Sequence, residues 1–343
     1  MRTFVTPPSE SPVEPGPRPT FSVIIPAYQA ASVAGEAVES ALAQTLAPHE
    51  VIVCDDGSTD DLRTALAPHL DDIVFVRKEH SGVASARNLA IAAASADFVA
   101  VLDADNVYLP EYLESLTELA VARPDLDILT TDAYLELDGK IYGRYYRGKA
   151  RFVATDQRRG IIHQHFVFAN AAYRRVALVA VGGYDEFYDG TVYTGVEDTD
   201  LLVRLILAGA RAGLVDEPLC VYRIRGDSLS SNRPRSMRGG TVVLERARDH
   251  PSLSADERRY LGEQLSAKRR EAMLAEAEQA LRGLADRPRR CSLKVALGPP
   301  GFGITARAKA LAGAIAPRTA GRYLEHLEKK TGRSRLALRT HGR

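Results

Sequence analysis

The 343-residue chain has no tryptophan, three cysteines, no apolar run of 18 residues and a formal charge of only +1. Cys54, Cys220 and Cys291 are widely spaced, odd in number and without a CxxC pair. That spacing argues against a disulfide framework and a zinc site and favours a reducing compartment. Without a long apolar run there is no candidate membrane span, and the first residues show no basic stretch followed by an apolar one. The expectation is a cytoplasmic protein, at most peripheral to the inner face of a membrane. The small total charge hides an asymmetry: residues 241–343 hold 22 Lys and Arg against 11 Asp and Glu, and residues 1–240 hold 23 against 33. An acidic body with a basic tail does not fit a nucleic-acid reader, whose basic residues would line its recognition surface. The tail could meet anionic lipid or another acidic surface.

What is present is the composition of a soluble globular protein, 45% hydrophobic and 26% charged, long enough for one large α/β domain and an appendage. Residues 1–20 carry six prolines and few apolar side chains, which predicts a disordered leader. From Phe21 strand and helix patterns alternate. "FSVIIP", "EVIVCD", "DIVFVR", "DFVAVLD" and "DLDILTTDA" read as strands. "SVAGEAVESALAQT", "TDDLRTALAPHL", "SGVASARNLAIAAA" and "PEYLESLTELAVA" read as helices between them. Such alternation implies parallel pairing through right-handed crossovers, and strands this apolar imply helices on both faces of the sheet. "DGKIYGRYYRGKARF" reads as a hairpin or loop near a ligand, "EDTDLLVRLILAGA" as a helix and "PLCVYRIR" as a strand. Beyond them a helix from Ser254 to about Leu284 opens with a Ser254–Glu257 capping box. Its leucines, among them Leu261 and Leu265, would pack on the preceding α/β domain or a second subunit.

In a doubly wound sheet the ligand crevice lies outside the carboxyl ends of the strands. "PAYQA", "DDGSTD" and "DADN" follow the first, second and fourth strands and so fall on one edge. Singly, "DDGSTD" is explained by turn and capping residues, and "DADN" by a solvated Asx turn. If the chain is still extended at Asp103 and Asp105, both carboxylates point the same way. Two such groups repel, and a hard cation that also binds substrate phosphates would offset the repulsion.

"SVIIPAYQA", "AVESALAQTL", "EVIVCDDGSTD", "SGVASARNLAI", "DFVAVLDADN", "VGGYDEFYD" and "GVEDTDLLVRLILAG" resemble, in order and spacing, the successive motifs of family 2 glycosyltransferases. The resemblance covers residues 20–232 and implies a GT-A fold, a nucleotide-diphospho-sugar donor, inversion at the anomeric carbon and Mn²⁺ or Mg²⁺ as cofactor. It divides the chain into a nucleotide-binding half (21–135), an acceptor-binding half (136–240) and a basic helical extension (241–343). Pro26 and Tyr28 would line the base pocket, Asp56 would accept a hydrogen bond from the base, and Asp55 would shape the turn beside it. Arg87 would face the diphosphate, Asp103 the ribose and cation, and Asp105 would bind the cation. Asp198 would be the catalytic base, Glu197 would orient or bind the acceptor, and Gly183 and Tyr184 would lie near it.

One position departs from the family pattern. Many members carry a His where "VYRIRGDSLSS" has Arg225, which cannot ligate a metal but can pair with phosphate. His163 and His165 are alternative sources of an imidazole, although a lone His in such a strand is more often structural. The C-terminal "ARAKALAGAIAPRTAGRYLEHLEKK" is compatible with an anionic membrane surface, yet it lacks strong Trp or Phe anchors, and a solvated basic face explains it more simply. The expected partners are the donor and a glycan, lipid-linked or small-molecule acceptor, with room for a homodimer and for peripheral membrane contact. Two rival functions are a sugar-1-phosphate nucleotidylyltransferase, for which the Gly-rich "GxGTR" loop is missing, and a non-catalytic nucleotide-sugar binding protein.

Overall fold

The apolar runs fold as strands of one ten-stranded sheet in a computed structural model that describes residues 2–9, 14–148, 150–191, 193, 195–225 and 233–281. In chain order the first elements are β1 (Phe4–Val5), β2 (Phe21–Ala27), α1 (Ala34–Leu42), β3 (Glu50–Asp55), α2 (Leu62–Ala65), β4 (Val74–Arg77), α3 (Val83–Ala93) and β5 (Phe98–Val101). There follow β6 (Val107–Tyr108), α4 (Tyr112–Ala122), β7 (Ile128–Leu137), β8 (Lys140–Arg144), α5 (Gln157–His163), β9 (Ala172–Arg174), α6 (Arg175–Ala180), α7 (Glu197–Leu207) and β10 (Ala212–Arg223). Two further helices, α8 (Arg233–Ala247) and α9 (Ala255–Leu281), come last.

The strand order is β1-β10-β7-β9-β5-β2-β3-β4, with β6 on β10 and β8 on β7. The expected parallel pairing holds for β4, β3, β2 and β5. Every residue of β2 is buried, as a strand must be when helices cover both faces of its sheet. Past β5 the sheet becomes mixed. The short β9 runs antiparallel to both β5 and β7, so β7 is parallel to β5 but stands one place further out. The β7–β8 hairpin matches the Gly- and Tyr-rich text, its turn made by Asp138 and Gly139 at φ 51 and 73. The core lies between the sheet and its helices and includes Phe21, Val53, Phe98, Leu116, Leu129 and Phe168.

The leader departs from the expectation of disorder. Phe4 and Val5 pair with Val215 and Leu214 at the edge of the sheet, the Gly16 N–H donates to the Val121 carbonyl at 2.9 Å, and Arg123 donates to the Pro7 carbonyl at 2.8 Å. Two apolar residues among prolines carry no periodicity; the exposed backbone of β10 supplies the pairing, at the sheet edge where proline-flanked strands are tolerated.

Contacts divide the chain into two compact units, one of Met1–Thr191, Glu197–Arg225 and His250–Ser252, the other of Val192–Val196, Gly226–Asp249 and Leu253–Arg343. The first holds the whole sheet with α1 to α7. In the second, α8 and α9 run antiparallel, joined by Glu245–Arg269 at 2.6 Å and Arg238–Glu276 at 3.1 Å. Leu261 and Leu265 are buried there. The capping box forms as read, Ser254 N–H to Glu257 at 2.8 Å and Glu257 N–H to the Ser254 hydroxyl at 3.2 Å. Leu284 and the basic stretch of residues 288–343 lie outside the described residues.

Candidate active site

In-register pairing of β2 with β3 and β5 brings Ala27 beside Asp55 and Ile24 beside Val101, so the three polar loops leave the sheet at one edge. Gln29 stitches the first two loops together. Its backbone sits at φ 51, its N–H donates to Ser58 Oγ at 3.0 Å, and its side-chain oxygen accepts from the N–H groups of Thr59 and Asp60 at 3.1 and 3.0 Å. Asp55 is wholly buried and caps the turn by accepting from the Ser58 N–H at 2.8 Å. Tyr28 is 46% exposed and stacks on His80, with ring centroids 4.0 Å apart and 16° between planes. Pro26 is buried within β2.

Asp56 is engaged more fully than expected. One carboxylate oxygen accepts from Lys78 Nζ at 3.0 Å and the Ser81 N–H at 3.1 Å; the other meets His80 Nδ1 and the Gly82 N–H, both at 2.8 Å. Burial alone would raise this carboxyl, but the two amide donors and the ammonium hold it below its ordinary range. Asp56 therefore organises the entry to α3, and a base reaching it would share or replace one of these donors. Lys78 and His80 were not read from the sequence, because a charged residue and a lone His at the end of a strand carry no pattern of their own.

The chain is no longer extended at "DADN". β5 ends at Val101, and the Asn106 N–H donates to the Asp103 carbonyl at 2.9 Å, which closes a turn. The two acids nevertheless face one another electrically: burial and then the charge of Asp103 push the Asp105 carboxyl up to about 6, against the opposing pull of Arg225 and Arg223. Such a carboxylate is one that a cation would relieve. The pair offers hard oxygen donors, which suits Mn²⁺ or Mg²⁺ completing its shell with phosphates and water. No group of three or more His, Cys, Asp or Glu side chains gathers as a metal site among the described residues.

Arg225 is thus electrostatically close to Asp105, and Arg223 joins it. Arg223 donates to the Asp105 carbonyl at 3.4 Å and to Glu36 at 2.6 Å. Arg223 was missed in the sequence; its spacing of two from Arg225 at the end of a strand, which would put both on one side, is the signal that could have found it. His165 lies against the first turn of α7, its Nδ1 3.0 Å from the Thr199 hydroxyl, and His163 is exposed at the end of α5.

The first turn of α7 carries Glu197, Asp198 and Asp200. Asp200 is buried on Arg204 and the Tyr188 hydroxyl, at 2.6 and 3.0 Å. Glu197 is 5% exposed and bonds Arg87 Nη1 at 3.0 Å. Asp198 is half-buried, and its Oδ1 accepts from the Thr199 N–H at 2.7 Å. Among the described residues it is the acid of this turn with no cation on it. Arg87 is itself buried; its Nη2 donates to Asp103 at 2.8 Å, and its guanidinium lies 5.0 Å from the Tyr184 ring centroid. It is therefore turned toward two carboxylates. Tyr184, expected near the acceptor, is 2% exposed beneath Arg87. Gly183 makes the expected tight turn at φ 68, where a Cβ would meet Asn88 Oδ1 at 2.5 Å.

Known proteins resemble the chain in sequence and fold. ExoU, a succinoglycan biosynthesis protein of Rhizobium meliloti, is 32% identical over 241 residues, covering 61% of this chain and 64% of that one. The chain spans about two fifths of the length of two other curated relatives. The crystal structure of Staphylococcus aureus TarS 1–349 in complex with UDP-GlcNAc superposes over 90% of this chain and 92% of its own, with a TM-score of 0.56 at 18% identity. Mannosyltransferase PcManGT from Pyrobaculum calidifontis, in complex with GDP-Man and Mn²⁺, covers 92% and 90% with a TM-score of 0.53 at 20% identity. At these identities the likeness is one of fold, the GT-A fold. Residues 22–182 match the family described as glycosyl transferase family 2, and over that segment the chain resembles this family.

Proposed function

We propose that the chain transfers a sugar, with inversion, from a nucleotide-diphospho-sugar to a hydroxyl of a glycan, lipid-linked or small-molecule acceptor, with the help of a divalent cation. The observation that carries this reading is the meeting, at one sheet edge, of the Asp103–Asp105 turn with the first turn of α7. One acid of that turn, Asp198, carries no cation among the described residues. The relatives support the coarser part: two solved structures of this fold hold UDP-GlcNAc or GDP-Man, the latter with Mn²⁺, and ExoU serves polysaccharide biosynthesis.

Asp105 and Asp103 would hold Mn²⁺ or Mg²⁺; the chemistry such an ion supplies when bound is stabilisation of negative charge on the departing diphosphate. Tyr28 presents a free aromatic face for the base. Arg225 and Arg223 add positive charge beside Asp105, which suits the phosphates. Asp198 takes the proton of the acceptor hydroxyl as that oxygen attacks the anomeric carbon, since an alcohol is a poor nucleophile at neutral pH. Its place in the first turn of a helix fixes it on a rigid element. A single carboxylate base serves direct inversion.

The test is a panel of nucleotide sugars incubated with purified protein and Mn²⁺ or Mg²⁺. The expected result is hydrolysis or transfer from at least one donor, abolished by chelation and by Asp105→Ala. Turnover that survives both would remove the cation from the reading.

A further inference from the structure

Arg87 joins three elements: it stands on α3, its Nη2 bonds Asp103 in the turn after β5 at 2.8 Å, and its Nη1 bonds Glu197 at the start of α7 at 3.0 Å. The side chains of Arg87 and Glu197 are 7% and 6% exposed, so water screens their attraction little. Among the described residues, Arg87 Nε has no hydrogen-bond partner. The guanidinium is thus held by its two terminal nitrogens and by the face of Tyr184. The orientation of Asp103 therefore depends on a carboxylate that lies 94 positions away in sequence and next to Asp198.

We propose that Glu197 is a positioning residue that acts through Arg87: it sets Asp103 for the cation and diphosphate, and it ties the turn bearing Asp198 to the donor side. Charge as well as geometry leads to this. Glu197 shares the positive charge of Arg87 with Asp103; without it, Arg87 rests on Asp103 alone and neutralises it, which weakens the attraction of the acidic pair for a cation. By linkage, a cation on Asp103 also leaves Arg87 freer to tighten on Glu197, so an occupied donor site steadies the first turn of α7. The inference rests on the proposed donor site.

The experiment measures Mn²⁺ binding to the full chain by loss of the free-ion electron paramagnetic resonance signal, without nucleotide or acceptor. Glu197→Gln keeps the shape and removes the charge; its Mn²⁺ affinity is expected to fall about ten-fold, the order seen when a group behind a metal ligand is altered. Glu197→Asp restores most of the loss, and Asp198→Asn, in the same turn, leaves the affinity as in the unaltered chain. In turnover, Glu197→Gln raises the donor KM while Asp198→Asn lowers kcat. Unchanged Mn²⁺ affinity in Glu197→Gln overturns the inference and leaves the donor site standing, as does an equal loss in Asp198→Asn. Absence of Mn²⁺ binding by the unaltered chain overturns both. If Glu197→Gln does not fold, Arg87→Lys carries the test, because an ammonium cannot bond both carboxylates along a planar fork; unaltered affinity there overturns the inference equally.

Discussion

Asp198 and Glu197 are neighbours with opposite surroundings, one half-buried and accepting from the N–H of its helix neighbour Thr199, the other buried against Arg87. Loss of the proposed base through Asp198→Asn is expected to leave donor binding intact and to slow transfer by about 10²-fold or more, measured as kcat beside donor affinity in calorimetry. Tyr28 offers a second residue-scale test. One face rests on His80 while the ring stays 46% exposed, so Tyr28→Ala is expected to cost roughly 1–3 kcal/mol of donor affinity, the worth of a base stacked on an aromatic ring. Most of the candidate site residues stood out in the sequence because they lie at the end of a strand or the start of a helix. Their partners did not. That Arg87 faces two carboxylates, that Tyr184 lies beneath it and that Asp56 is held by Lys78 and His80 all depend on side chains meeting across the fold, which no local pattern encodes.

At the scale of elements, the loop after α6 is held by a reciprocal pair. Asn88 on α3 donates to the Tyr184 carbonyl at 2.9 Å and accepts from the Tyr184 N–H at 2.8 Å. Gly183→Ala is expected to destabilise by about 1–3 kcal/mol, from positive φ and the collision with Asn88 together. Asn88→Ala beside it recovers the collision but not the backbone cost, and chemical denaturation of the single and double variants separates the two. In the second unit, Ser254→Ala removes the cap of α9 and is expected to cost about 1 kcal/mol. The long elements were readable because burial enforces a period of two or 3.6, as in β2 and α4. Others were not: β1, β6 and β9 are too short to show a period, α5 and α6 span less than two helical turns, and α8 contains Gly239 and Gly240, poor helix formers in its interior.

At the scale of the molecule, several carboxylates share a sign. Burial would raise Glu50, yet Ser22 and Ser95 lower it; the Thr20 N–H lowers Asp97, Arg123 lowers Asp125, and Asp56 is lowered as described. Each folded-state value lies below the unfolded one, so each contributes stability that is complete above the ordinary carboxyl range near about 4 and is lost as pH falls through the folded values. The expected outcome is a melting temperature that these groups do not move between pH 6 and 8, as approximate bounds, and that they lower below about pH 4, read by a thermal melt at constant ionic strength.

The interposed β9 has a consequence for how such a protein can be taken apart. β9 belongs to the half expected to meet the acceptor, yet it fills the space between two strands, β5 and β7, of the half expected to hold the nucleotide. A fragment ending near residue 135 would lose β8, β9 and β10 together, leaving one edge of β5 and both edges of β7 unpaired, a state that invites aggregation. The halves expected to hold donor and acceptor are interleaved, not interchangeable modules: a graft that replaces residues 136–240 must also bring a strand that fills the place of β9.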